Sequence, residues 1–175
     1  MDRAGKDHLN TPPQRPDAPA ALTMASLLKP EAVKVVGSVA SKKRLMRDIC
    51  EVAASCYGIP IDKAIDALQD RESIGPTGVG NGVALPHARI TELDRVVGVF
   101  LRLERALPFE SVDRQPVDLV FALFAPEDNG VRHLKALALV ARAMRDPKVQ
   151  AKLRANDDPA ILYTILVGPE ESQAA

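Results

Sequence analysis

The chain has 175 residues, enough for one domain with tails, and 46% of them are hydrophobic, so it can bury a substantial core. Only 3% are aromatic and tryptophan is absent, which makes that core aliphatic. Lys and Arg number 23 and Asp and Glu also 23, a neutral balance that gives no electrostatic drive toward nucleic acid.

Residues 1–22 contain Pro12, Pro13, Pro16 and Pro19 and few large apolar side chains. Such a stretch breaks helices and cannot offset its own ordering entropy, so a disordered tail is expected, with His8 incidental within it. It lacks the apolar core of a secretion signal, and no later apolar run reaches membrane-spanning length. A soluble cytoplasmic protein without membrane insertion is expected. Met24 opens a more ordinary start, so a start codon assigned upstream is one origin of the tail.

The expected domain runs over residues 23–168, with a short disordered tail at 169–175. Ser41 caps a predicted helix in which Leu45, Ile49, Val52, Ala53 and Cys56 follow helical spacing and Gly58 is the stop. Cys50 and Cys56 point different ways on it, which suits two buried thiols in a reducing compartment. Pro60 fits the first turn of a second helix carrying Ile61, Ile65 and Leu68. A glycine-rich stretch, 75–82, leads into a short strand, Val83–Leu85.

Val96–Leu103 and Val117–Phe124 are near-continuous apolar runs, the pattern of strands covered on both faces. The polar stretch Ala106–Gln115 joins them as a hairpin-like connection. Helical spacing returns at Leu134, Leu137, Ala138, Ala141 and Met144. Asp146-Pro147 and Asp158-Pro159 each look like an N-cap followed by proline at the first helical position. This order predicts a single-domain α/β sandwich, helices on both faces of a mixed sheet, without strict βαβ alternation.

The stretch from Arg71 to His87, RESIGPTGVGNGVALPH, carries the chemistry. Its glycines can take positive φ angles and present backbone N–H groups to an anion. It is neither a Walker loop, since no Gly-Lys-Ser/Thr follows, nor a dinucleotide fingerprint, since it precedes a strand instead of opening a helix. His87 ends it, and a neutral imidazole can attack phosphorus in line and hold the group through a P–N bond. Arg71 offers a planar donor fork for phosphate oxygens, and Thr77 a hydroxyl. Gly78, Gly80, Asn81 and Gly82 offer amides as a phosphate cradle. His133, in the first turn of a predicted helix, lies where free N–H groups favour an anion. Taken singly, each feature has a plainer reading: a capped turn, a solvated helix end, a tight glycine turn, a surface histidine.

Together these residues resemble the phosphorylation-site motif of the mannitol/fructose-class IIA proteins of the bacterial phosphotransferase system. The segments Gln115–Pro126 and His133–Arg142 match as well, and the resemblance spans roughly residues 24–168. Within that class the chain is most similar to the nitrogen-regulatory branch, stand-alone domains that signal instead of feeding a sugar channel. The resemblance implies that His87 accepts the phosphoryl group, on its tele nitrogen Nε2, with Arg71 and His133 lining the pocket. It implies an HPr-like phosphocarrier as donor, regulatory targets such as transporters or sensor kinases, a role in nitrogen, carbon or potassium signalling, and no cofactor. Pro76 stands where the family usually has Ser, and Ala88 where Gly is common.

A sugar-transport IIA domain, passing phosphate to a IIB partner, would carry the same site. No IIB, IIC or HPr-like segment is fused here, which favours the regulatory branch. A metallohydrolase built on His87 and His133 is the remote alternative. Three histidines and no H-E-x-x-H spacing speak against it, and no metal is expected.

Overall fold

The computed structural model describes residues 21–128 and 130–168. The chain begins with a single helical turn, α1 (Met24–Leu27), which runs directly into strand β1 (Leu28–Val36). Two helices follow, α2 (Lys42–Tyr57) and α3 (Ile61–Ile74). Three short strands come next: β2 (Gly78–Gly80), β3 (Val83–Ala84) and β4 (His87–Ile90). Two long ones, β5 (Val97–Leu107) and β6 (Val117–Pro126), form the centre of the sheet. Three helices close the domain: α4 (Gly130–Arg145), α5 (Pro147–Arg154) and α6 (Pro159–Val167).

The capping residues act as their chemistry predicts. The Ser41 hydroxyl accepts from the N–H of Arg44, and Gly58 ends α2 in the left-handed region at φ 69°. Asp146 and Asp158 accept from the N–H groups of Lys148 and Ala160, each with proline at the first helical position. Pro60 is the residue just before α3 and not its first turn, a shift of one position.

The mixed sheet has the order β1-β5-β6-β3-β2, and β4 also pairs with β6. β5 and β6 run antiparallel, joined by a hairpin connection. Because β5 continues to Leu107, that connection begins two residues later than its polar composition suggests. β6 is buried at every position but one, and β5 is buried through most of its length. Both faces are covered: α2 and α3 pack together beside β1, β4 and β5, while α4, α5 and α6 pack on one another and on β6 and β1. Phe100, Phe121, Phe124 and Leu101 make up the aliphatic-aromatic centre.

Strands β1, β2 and β4 and the turn α1 are additions to the expected layout. β1 sits at the sheet edge, paired parallel to β5 alone, with a register shift between Leu28 and Val33 around Pro30. A proline and exposed charges suit an edge strand and hide it from an apolar pattern. Leu22, assigned to the tail by composition, packs partly buried against the core, and Thr23 and Ser26 form a capping box around α1. Residues 1–20 of that predicted tail and residues 169–175 lie outside the described residues. Cys50 is fully buried, but Cys56 is only half-buried; both are free thiols, and burial pushes Cys50 up to about 12.

β3 and β4 lie along the same edge of β6 in parallel: Val83 pairs with Leu119, and His87 with Leu123. They are one strand interrupted at Leu85-Pro86. Pro86 has no N–H to give, although its carbonyl still accepts from Leu123 at 2.9 Å. The interruption makes His87 the first residue of β4.

Candidate functional site

His87 and His133 meet although 46 positions separate them in sequence. β4 holds His87, the first turn of α4 holds His133, and their rings stand edge to face with centroids 5.4 Å apart. Arg71, in the last turn of α3, reaches the same place. A shallow depression is lined by Arg71, His87, Arg89 and His133, with Ile74 and Leu134 as exposed apolar borders.

The hydrogen bonds assign the protons on His87. Its Nδ1 lies 2.8 Å from the Leu85 carbonyl, which can only accept, so Nδ1 carries the hydrogen. Its Nε2 receives the Nε–H of Arg71 at 3.2 Å, and arginine can only donate. The two bonds agree: Nε2 is the bare, nucleophilic nitrogen. Burial lowers the pKa of His87 from 6.5, assisted by the Arg71 charge and opposed by the Leu85 carbonyl and by Glu72. The ring is therefore neutral at pH 7. Arg71 is steadied by a second bond from Nη1 to the Gly75 carbonyl, 3.0 Å.

His133 is buried, and burial, reinforced by His87 and Arg89, brings its pKa down to about 4. Its Nδ1 accepts from Arg89 Nε at 3.5 Å, while its Nε2 has no hydrogen-bond partner among the described residues. Arg89 is a site residue that the sequence reasoning missed. It stands two positions beyond His87, and residues so spaced on a strand face the same side, a signal the sequence does contain.

Thr77 and the glycine loop lie away from the depression. Thr77 is buried away from the depression, with its hydroxyl and N–H both donated to Glu72, at 2.6 and 3.0 Å. Glu72 in turn pairs with Lys42 at 2.6 Å. Thr77 still touches the site at one remove. Its carbonyl accepts the N–H of Leu85 at 2.9 Å, and Leu85 is the residue whose own carbonyl orients His87. A relay of bonds thus runs from Lys42 through Glu72, Thr77 and Leu85 to the imidazole.

Gly78, Gly80, Asn81 and Gly82 form the tight β2–β3 turn and do not line the depression. The Asn81 N–H is already taken by Asp113 at 2.9 Å, and the Asn81 carbonyl accepts from Arg154 at 2.6 Å. Gly82 sits at φ 76°, and a Cβ there would lie 2.5 Å from the Arg154 guanidinium and 2.8 Å from the Asp118 carboxylate. The loop therefore serves the close approach of the Arg154–Asp118 pair, the plainer of its two readings.

Among the described residues no group of three or more His, Cys, Asp and Glu side chains is arranged to hold a metal ion. Nε2 of His87 and Nδ1 of His133 each face a guanidinium donor. No described helix is long and apolar enough to cross a membrane.

Residues 26–167 match the family described as phosphoenolpyruvate-dependent sugar phosphotransferase system, EIIA 2. A nitrogen regulatory protein of Bradyrhizobium diazoefficiens is 42% identical over 153 residues, covering 87% of this chain and all of that protein. The crystal structure of the nitrogen regulatory protein IIA-Ntr from Neisseria meningitidis superposes with a TM-score of 0.74 at 28% identity, covering 81% of this chain and 97% of that one. The mannitol IIA of Escherichia coli shares the fold, with a TM-score of 0.63 at 21% identity over 76% of this chain and 95% of that one. The match extends over nearly the whole described domain, site included, and the chain belongs to the EIIA 2 family of the phosphoenolpyruvate-dependent sugar phosphotransferase system.

Proposed function

We infer that this protein is a phosphoryl carrier that accepts the group on Nε2 of His87 from an HPr-like phosphocarrier and signals through its phosphorylation state. The carrying observation is the pair of hydrogen bonds that leaves Nε2 bare while Nδ1–H is held by Leu85. In the transfer, the Nε2 lone pair attacks the phosphorus of the donor's phosphohistidine. The new P–N bond forms as the donor's own N–P bond breaks, and the leaving nitrogen keeps the electron pair of that bond. The His87 ring becomes more positive as it bonds phosphorus, and the Leu85 carbonyl on Nδ1–H stabilises that charge. Arg71 must release Nε2 as the phosphoryl group arrives, and its guanidinium is then placed to bind the oxygens.

The donor is a protein, not a small molecule. Ile74, Val131 and Leu134 are large exposed apolar side chains on α3 and α4, a border suited to a protein surface. The regulatory branch is favoured over sugar transport by a relative that this chain matches over its whole length and that is named as a nitrogen regulatory protein. The work is assigned to the cytoplasm, where thiols such as Cys50 and Cys56 remain reduced.

The test of this reading is partner capture. A transporter or sensor kinase should bind the unphosphorylated and phosphorylated forms with clearly different affinity, because the group adds nearly two negative charges to an apolar-bordered site. Loss of uptake of one particular sugar on gene deletion, with no such partner found, would replace regulation by transport to a IIB protein.

A further inference from the structure

The transfer just described makes no use of Arg89. Its Nε–H donates to Nδ1 of His133, and its Nη2 lies 3.4 Å from where a Cβ on Gly130 would stand, against the first turn of α4. No carboxylate pairs with it among the described residues. A cation beside the positive end of a helix is unfavourably placed. The residue is exposed to solvent, and this placement adds nothing to the stability of α4.

Because a guanidinium only donates, the Nδ1 it faces is a bare acceptor nitrogen, and a neutral His133 then carries its proton on Nε2. Burial keeps this ring neutral, with a pKa near 4, so its tautomer and not its charge decides what it offers. The resulting Nε2–H is buried, in a side chain only 6% exposed, and has no partner among the described residues. An unmet buried donor is costly in a folded protein, and this one stands beside the ring that would carry phosphate.

We propose that Arg89 is a positioning residue that holds His133 in the Nε2–H tautomer, so that a donor is ready for an oxygen of the phosphoryl group on His87. This rests on the phosphoryl-carrier reading. Without the arginine, the proton can move to Nδ1. The ring then presents a lone pair to the phosphoryl oxygens and repels them.

Long-range proton–nitrogen correlation spectra of the full chain, labelled with nitrogen-15 histidine and unphosphorylated, read the tautomer directly. His133 should show a bare Nδ1 and a protonated Nε2. Arg89→Met should shift the ring toward the other tautomer and slow phosphoryl acceptance by roughly 10–100-fold, between the effects of a lost supporting partner and a lost oxyanion donor. Arg89→Lys, which keeps a cationic donor, should restore much of both. A wild-type His133 protonated on Nδ1, or an Arg89→Met variant with unchanged tautomer or unchanged rate, would overturn the proposal. The spectrum precedes any transfer, so failure of the wild type to accept phosphate is a separate result, one that removes the carrier reading itself.

Discussion

Replacing His87 by alanine should abolish acid-labile phosphorylation and leave the domain folded. The neighbouring imidazole is a poor substitute. His133 has its Nδ1 facing the Arg89 guanidinium and its Nε2 buried, and a pKa near 4 marks a weakly basic ring. The fold should survive because the strand pairing of His87 with Leu123 is a backbone matter, and the side chain is only partly buried. Intact mass after incubation with phosphoenolpyruvate, the first phosphotransferase enzyme and an HPr-like protein reads the loss, and the thermal midpoint reads the fold. In the wild type the neutral ring is the reactive form. Burial holds its pKa below 6.5, so acceptance should stay level down to about that pH and fall only beneath it. Acid-labile phosphate at wild-type level in His87→Ala would refute the assignment.

Replacing Arg71 by glutamine should slow acceptance by roughly 10²–10³, the usual effect of losing one donor aimed at developing charge. The guanidinium sits on the attacking nitrogen itself, and its bond to the Gly75 carbonyl holds it there at the end of α3. Arg71→Lys should fall between, because an ammonium retains the charge without the planar fork. Given time, both variants should still reach one phosphate per chain, since the nucleophile is untouched. Rapid-mixing measurement of the transfer rate separates this from a binding defect, and an unchanged rate in Arg71→Gln would exclude the role.

The parts of this molecule that local chemistry dictates were legible from its residues. Ser41, Gly58, Asp146 and Asp158 bound helices because a side-chain acceptor or a left-handed glycine acts on its immediate neighbours. The runs that became β5 and β6 are apolar on both faces because they lie mid-sheet. β1 was hidden for the opposite reason: as an edge strand with Lys29, Pro30 and Glu31 exposed, it has no apolar period to show. The site divides in the same way. His87, Arg71 and His133 carried recognisable chemistry and are brought together. Thr77 and the glycines Gly78, Gly80 and Gly82 carried equally suggestive chemistry but are taken up by Glu72 and by the turn beside Arg154 and Asp118. Which polar partner a side chain finds is settled by tertiary packing, and spacing along the chain does not encode it.

The most direct test of the account is the position of the phosphoryl group in the wild-type protein. After phosphorylation through the HPr-like donor, nitrogen-15 histidine spectra with phosphorus coupling should place one phosphoryl group on Nε2 of His87, with Nδ1 still protonated against the Leu85 carbonyl. Phosphate on Nδ1 of His87, on His133, or on no histidine at all would contradict it.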